Sequence, residues 1–279
     1  EGVVPLGNIF VLTNEAQLAG TKTALAFLPP EQIIAEPAKR DTAPAAALAT
    51  GLVRARDPEG VLALLPADAL IKDSATFARQ LSGALTRASR GGALLTFAIK
   101  PTYPATGFGY LAMAETLSDG FRRVACFVEK PDLATAKKYV AGGNHAWNAG
   151  MFMWRVPSFV AEAEKQAPVL AEFVKNFPSG DPTSYLAQHF SSLPKISVDY
   201  AIMEKATAVE TQLAEFDWDD VGSWTALPSH LPSDESRNTT RGPVVVHNAS
   251  NNIAISGGRV IALCGVKDLV VVETPDAVL

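Results

Sequence analysis

Apolar positions along the chain fall into short continuous runs that alternate with stretches of helical period. NIFVLT (8–13) reads as a buried strand, and Asn14 with Gln17 has the spacing of a helix-capping box at the head of NEAQLAGTKTALAFL. QIIAEP (32–37) is strand-like, and the alanine-rich TAPAAALATGLVRAR (42–56) is helical with Pro44 in its first turn. VLALLPAD (61–68) is the kind of run that suits a strand covered on both faces. SATFARQLSGALTRAS (74–89) predicts an amphipathic helix, and ALLTFAIK (93–100) the next strand. The middle of the chain is more mixed. GYLAMAE and RRVACFVEKP precede a helix DLATAKKYVAG capped by Asp132, then HAWNAGMFMWRV. Helical material containing SVDYAIMEKA (197–206) leads to the strand VETQLAEFDW.

Alternation of this kind predicts an α/β fold, with a mostly parallel sheet and helices on both faces. Past about residue 235 the pattern changes. PVVVHN, NIAISG, RVIALCG and DLVVVET are short β-branched runs separated by Asn, Gly and Asp turns, with no helical period. They predict a small all-β appendage, a β-helix or β-roll. The expected division is therefore residues 1–235 and 236–279.

Composition adds few constraints. Of 279 residues 48% are hydrophobic and 19% charged, enough for a sizeable core and against disorder. The net charge of −5 argues against a nucleic-acid partner, which needs a basic face. Cys126 and Cys264 lie far apart in apolar runs and read as buried hydrophobes. With no cystine framework and no metal-type cysteine spacing, a reducing cytoplasm is the expected location. No stretch reaches the roughly 20 apolar residues of a membrane span. The N-x-[ST] triplets at Asn238 and Asn248 carry little weight without a secretory signal.

In open α/β sheets ligands gather beyond the carboxyl ends of strands, so polar residues just after strands are the candidates. They are Glu36, Asp68, Glu129 with Lys130, Asn148, and the trio Asp217, Asp219 and Asp220 in FDWDDVGSW. Crowding like charges is disfavoured unless something positive binds. Asp68 with one aspartate of the trio fits an octahedral Mg²⁺ whose other positions go to phosphate oxygen and water. Strand alternation through EFDWDD places Asp220 with Phe216 and Trp218, and Asp217 and Asp219 opposite, so Asp220 is the expected ligand. Each candidate has a plain structural alternative. Asp68 reads equally well as a helix N-cap, Glu129-Lys130-Pro131 as a surface turn, Asn148 as the cap of a bend, and Asp217 and Asp219 as a solvated turn. The four histidines show no ligand spacing, and neither a Gly-x-Ser-x-Gly nor a P-loop appears.

Seven strings in order carry a resemblance: EPAKRDTAPA (36–45), LLPAD (64–68), IKPTYPATGFGY (99–110), FVEKPD (127–132), WNAGMF (147–152), SVDYAIMEK (197–205) and DVGSW (220–224). Together, from about Asn8 to the C-terminus, they resemble mannose-1-phosphate guanylyltransferases of the sugar-nucleotide pyrophosphorylase superfamily. The resemblance implies a Rossmann-like nucleotidyltransferase domain with a β-helix-like appendage. It further implies Mg²⁺ as cofactor, GTP and a hexose 1-phosphate as substrates, and a homodimer as assembly. Asp68 and Asp220 match the family's Mg²⁺-binding aspartates. Lys130 matches the lysine that meets the sugar phosphate, and Glu129 the acceptor of sugar hydroxyl bonds. Gly109 and Asn148 match sugar-contacting positions. Glu36, the Thr42-Ala43 turn and backbone near Pro66 match the segment that reads guanine.

The implied reaction is in-line attack of the sugar phosphate on the α-phosphorus of GTP, with pyrophosphate leaving. The tryptophans of FDWDDVGSW read as packing anchors rather than stacking platforms. Two positions depart from the family pattern: Phe108 stands where Tyr is usual, and Asp41 where Asn is, with a helix cap as its expected role. The family's glycine-rich segment, GGxGTRLxP, has no counterpart and would precede Glu1, so the expectation is a sequence incomplete at that end. Two rivals stay open, a non-catalytic nucleotide-sugar binder of the same fold, and a glycosyltransferase using Asp217-Trp218-Asp219 as its metal motif.

Overall fold

The computed structural model describes residues 2–279 and divides into two compact units. The first comprises the residues up to Pro66 with Ile71–Trp218; the second comprises Ala67–Leu70 with Asp219–Leu279.

In the first unit the strands are β1 (Val11–Asn14), β2 (Ile33–Glu36), β3 (Val61–Leu64), β4 (Leu94–Ile99), β5 (Tyr110–Thr116), β6 (Phe121–Val128), β7 (His145–Arg155) and β8 (Val209–Leu213). The helices are α1 (Leu18–Ala24), α2 (Thr42–Arg56), α3 (Ser74–Arg90), α4 (Leu133–Gly142), α5 (Val156–Gln166), α6 (Pro168–Lys175) and α7 (Thr183–His189). Strands β1 and β2 form a parallel pair, and the other six form one sheet in the order β3-β7-β4-β8-β6-β5. The α/β class holds, but this sheet is mixed rather than mostly parallel. Only β4 and β8 pair in parallel; the long β7 runs antiparallel to β3, β4 and β5. Hairpin-like returns such as β5–β6 replace helical crossovers in the middle of the chain, where the helical period is weakest.

Burial follows position in the sheet. LLTFAI of β4 lies between β7 and β8 and is buried along almost its whole length. VLAL of β3, expected to be covered on both faces, is instead an edge strand with only Leu62 fully buried. On one face Leu94 and Ala98 join Leu48 of α2, Trp154 of β7, Phe159 of α5 and Leu170 of α6 in a single core. Each such large side chain contributes about 1.5–3 kcal/mol by leaving water. The Trp154 indole N–H donates to Thr50 Oγ1 at 3.0 Å, so even this buried ring keeps a polar partner. On the other face Phe77 of α3 packs against Phe97 and Phe216 with ring centroids 6.4 and 5.1 Å away.

Local signals fix several helix ends. Asp132 accepts the Thr135 N–H at the head of α4, and Gly143, at φ 68°, closes it in the left-handed conformation that glycine tolerates best. Asn14 and Gln17 do bond each other, but they form a turn and α1 begins after them, at Leu18. Asp41 precedes α2 with φ 60°, yet its side chain makes no capping bond, contrary to the expected role. Cys126 and Cys264 are also corrected. Both are exposed, because the pleat turns their neighbours Phe127 and Leu263 inward instead.

In the second unit β9 (Thr239–Arg241), β10 (Val244–His247), β11 (Ile253–Ser256), β12 (Ile261–Cys264) and β13 (Val270–Glu273) are short parallel strands. They stack as β13-β11-β9 and β10-β12, the arrangement of a coiled β-helix. Asn238 and Asn252 are buried at the same corner of successive coils. Asn238 Oδ1 accepts from the Asn252 backbone and side chain (3.2 and 2.8 Å), and Asn252 Oδ1 accepts from the Leu269 N–H (3.0 Å). In the next coil the matching position is Leu269, 43% exposed where the two earlier coils have a buried asparagine. Among the described residues no helix is long and apolar enough to cross a membrane.

Candidate active site

Four of the predicted residues meet in the first unit. Strand β6 ends at Val128, and Glu129 and Lys130 follow. Lys130 sits at φ 46°, a left-handed conformation that is uncommon for a residue with a Cβ and that concentrates at functional turns. Its ammonium lies 3.3 Å from Glu129 Oε1; the lysine side chain is 56% exposed and the glutamate 9%. Opposite them is Gly109, whose carbonyl accepts the Asn148 N–H at 2.8 Å. A Cβ on Gly109 would overlap Glu129 Oε2 and press on the Phe127 ring at 3.2 Å, so glycine is what lets the carboxylate lie against this backbone.

Asn148 owes its aim to an irregularity in β7. Thr96 pairs with Phe152 while Ala98 pairs with Asn148, so β7 bulges, with Gly150 at φ 68° inside the bulge. The buried Asn148 amide is then held from both ends. Thr96 Oγ1 donates to Oδ1 at 2.7 Å, and Nδ2 donates to Asp199 Oδ1 at 3.1 Å. Asp199 and Glu204 both lie in SVDYAIMEK, and neither has a role expected from the sequence. Residues Asp199–Met203 form a π-helical turn in which the Glu204 N–H donates to the Asp199 carbonyl at 3.0 Å. Turns of this type are frequent at functional sites. Glu204 Oε1 in turn accepts the Glu129 N–H at 2.8 Å.

Three carboxylates and one ammonium thus share a half-buried pocket. Burial pushes the Asp199 carboxyl up to about 6, with the Glu129 charge adding to it. Burial also raises Glu129, against the opposing pull of Lys130. Such a cluster is rich in acceptors for hydroxyl donors and has one exposed cation, Lys130, for an anionic group.

Beside it lies an aromatic cluster. Phe108 packs edge-on against Trp147 and Trp218, with centroids 5.1 and 5.5 Å apart, so this position serves as packing for both indoles. Trp224, by contrast, is 44% exposed and anchors no core, correcting the packing role expected for it.

The guanine-reading candidates fall at the ends of β2 and β3. Burial alone pushes the Glu36 carboxyl from its ordinary value near 4.5 to about 7. Thr42 and Ala43 are already engaged: Thr42 Oγ1 accepts the Val198 N–H at 2.9 Å, and the Ala43 N–H donates to the Ile196 carbonyl at 3.1 Å. Those two contacts hold the segment that leads into Asp199. Pro66, partly buried, follows β3.

Asp68 and Asp220 belong to the second unit. An antiparallel bridge joins Leu70 to Asp219, with backbone bonds of 2.7 and 3.1 Å, and brings the two segments together. Burial raises the Asp220 carboxyl, and the charges of Asp219 and Asp68 raise it further, against the favourable Gly222 N–H. Val221 sits at φ 43°, a strained conformation for a β-branched residue, beside Gly222. Strand β8 has ended at Leu213, so strict alternation does not reach the aspartates. Their roles differ nonetheless. Asp217 accepts the backbone N–H groups of Lys72 and Asp73 ahead of α3, and Asp219 pairs with His230 Nε2 at 2.8 Å. Asp217 is exposed, as expected of a solvated residue, whereas Asp219 is partly buried against His230, and the commitment of both disfavours Asp217-Trp218-Asp219 as a metal motif. Among the described residues no group of three or more His, Cys, Asp or Glu is placed to hold a metal. Two carboxylates with overlapping fields still fit Mg²⁺, which takes one or two from protein and the rest from phosphate and water.

The chain belongs to the nucleotidyl transferase family, whose pattern matches residues 8–236. Residues 242–279 match the MannoseP isomerase/GMP-like beta-helix domain. Among individual proteins, the chain is 38% identical over 275 residues to the xanthan biosynthesis protein XanB of Xanthomonas campestris pv. campestris, covering 97% of this chain and 56% of that protein. It is 38% identical over 261 residues to the mannose-1-phosphate guanylyltransferase of Escherichia coli, covering 89% and 54%. In structure it matches the mannose-1-phosphate geranyltransferase from Thermus thermophilus with a TM-score of 0.84 and 30% identity, covering 97% of this chain and 78% of that one. The chain spans about half the length of the curated relatives it matches.

Proposed function

We propose that this chain carries out nucleotidyl transfer from GTP to mannose 1-phosphate, forming GDP-mannose and pyrophosphate. The observation that carries the reading is the convergence of Gly109, Glu129, Lys130 and Asn148 on one pocket, in a family whose relatives include mannose-1-phosphate guanylyltransferases. In this reading a sugar-phosphate oxygen attacks the α-phosphorus of GTP in line; the new P–O bond forms as the bond to pyrophosphate breaks. The nucleophile is already anionic, so no strong base is needed, and positioning with charge neutralisation supplies the catalysis.

The carboxylate of Glu129 accepts from sugar hydroxyls, and Gly109 lets it come close. Lys130 extends its exposed ammonium to the sugar phosphate. Asn148 donates to a hydroxyl, and Glu36 faces the base, where a retained proton would let it donate as well as accept. Asp68 and Asp220 are the residues that would hold Mg²⁺, which when bound neutralises phosphate oxygens.

The test is pyrophosphate release from GTP and mannose 1-phosphate by the protein, with and without Mg²⁺. Release that needs both substrates and the metal supports the proposal. Binding of GDP-mannose without any release would replace it with the non-catalytic binder.

A further inference from the structure

An amide side chain can turn end for end and exchange a donor for an acceptor at almost no steric cost. At Asn148 the two neighbours differ in what they allow. Thr96 accepts either orientation, because a hydroxyl donates or accepts by rotating. Asp199 does not. As a carboxylate it only accepts, so it holds Nδ2 toward itself at 3.1 Å and leaves Oδ1 to the Thr96 hydroxyl at 2.7 Å. The surroundings are built to keep this arrangement. Thr96 and Thr211 are fully buried, and the Thr211 hydroxyl donates to the Thr96 carbonyl at 3.0 Å across to β8. The chain entering Asp199 is fixed by Thr42, and the π turn places Glu204 next to it.

We propose that Asp199 is a positioning residue of the sugar-phosphate pocket, fixing the Asn148 amide so that one N–H remains to donate to a sugar hydroxyl. The inference rests on the sugar-phosphate reading of the pocket given above. It also makes the pocket sensitive to protons. A protonated Asp199 can donate to Oδ1, which frees the amide to turn over and present an acceptor where the sugar met a donor. The charged groups facing Asp199 are Glu129 and Lys130 after β6 and Glu204 at the end of the π turn. Burial and the two carboxylates favour the proton, Lys130 opposes it, and the carboxyl titrates at about 6. Binding of the sugar phosphate therefore weakens as pH falls through that value.

The experiment is calorimetric binding of mannose 1-phosphate at pH 8 and pH 5.5 to the wild type, Asp199→Asn and Asp199→Ala, with melting temperatures as a check on folding. The phosphate of the ligand titrates in the same range, so the variant that cannot titrate at 199 is the necessary reference. At pH 8 Asp199→Ala should weaken binding about tenfold, or 1.4 kcal/mol, and Asp199→Asn, whose amide can donate as well as accept and so no longer fixes Asn148, should lose a similar share at every pH. Between pH 8 and 5.5 the wild type should lose about fourfold more affinity than Asp199→Asn. Equal pH slopes, or wild-type affinity in a folded Asp199→Ala, would overturn the inference and leave the pocket's assignment standing. A folded wild type that does not bind mannose 1-phosphate at pH 8 would overturn the assignment and the inference together.

Discussion

Gly109 is the residue with least freedom in the pocket, and the reason is the space its missing side chain leaves to Glu129. Gly109→Ala should fold, because the overlap is with the end of a flexible side chain. It should raise KM for mannose 1-phosphate about tenfold, or roughly 1.4 kcal/mol, as steady-state kinetics would show. Glu36 offers a different handle. Its folded value of about 7 lies above its ordinary 4.5, so the native state holds the proton more tightly than the unfolded chain. Stability from this group is complete below about pH 4.5, falls as pH rises toward 7, and stays lower beyond. Glu36→Gln should then stabilise the protein by about 1–3 kcal/mol at pH 8 and by almost nothing at pH 4. Thermal melts at the two values would check this, and equal effects at both would contradict the burial argument.

Elements that obey one period were readable from sequence, and those that break it were not. Strand ends gave Asp68, Glu129, Lys130 and Asp220 as candidates, because a polar residue after an apolar run is visible without coordinates; Asn148, also expected to follow a strand, instead lies inside β7, at its bulge. Asp199 and Glu204 were invisible as a pair. They stand five residues apart, a separation that a 3.6-residue helix does not bring together and that a π turn does. The bulge in β7 was similarly hidden, since Gly150 inside a strand pattern hints at an irregularity without saying which neighbour it re-aims. In the β-helix the repeated Asn before a strand is a signal that sequence does carry, and it has an energetic consequence. Asn238→Ala would leave the Asn252 N–H and the Ala249 carbonyl without their buried partner. The expected cost is about 2–3 kcal/mol, seen as a fall of several degrees in melting temperature.

Asp68 and Asp220 belong to one compact unit, and Gly109, Glu129, Lys130, Asn148 and Asp199 to the other. Periodicity could not foresee that the four residues Ala67–Leu70, a short way past β3 of the first unit, belong to the second. The pairing of Leu70 with Asp219 decides it, and such long-range pairing leaves no mark in a local pattern. The division predicts separable losses. Asp220→Asn should abolish binding of Mn²⁺, followed by its EPR signal, while leaving metal-free binding of mannose 1-phosphate within about twofold. Loss of both would mean that the substitution had disrupted more than a metal ligand. The stacked coils of the second unit have a bearing on how the chain comes apart. Each coil touches only its neighbours, so the stack behaves as a zipper whose teeth are the buried asparagines. Loosening one tooth should therefore loosen the next, and Asn238→Ala should speed amide exchange at Asn252 and Leu269 as well as in its own coil.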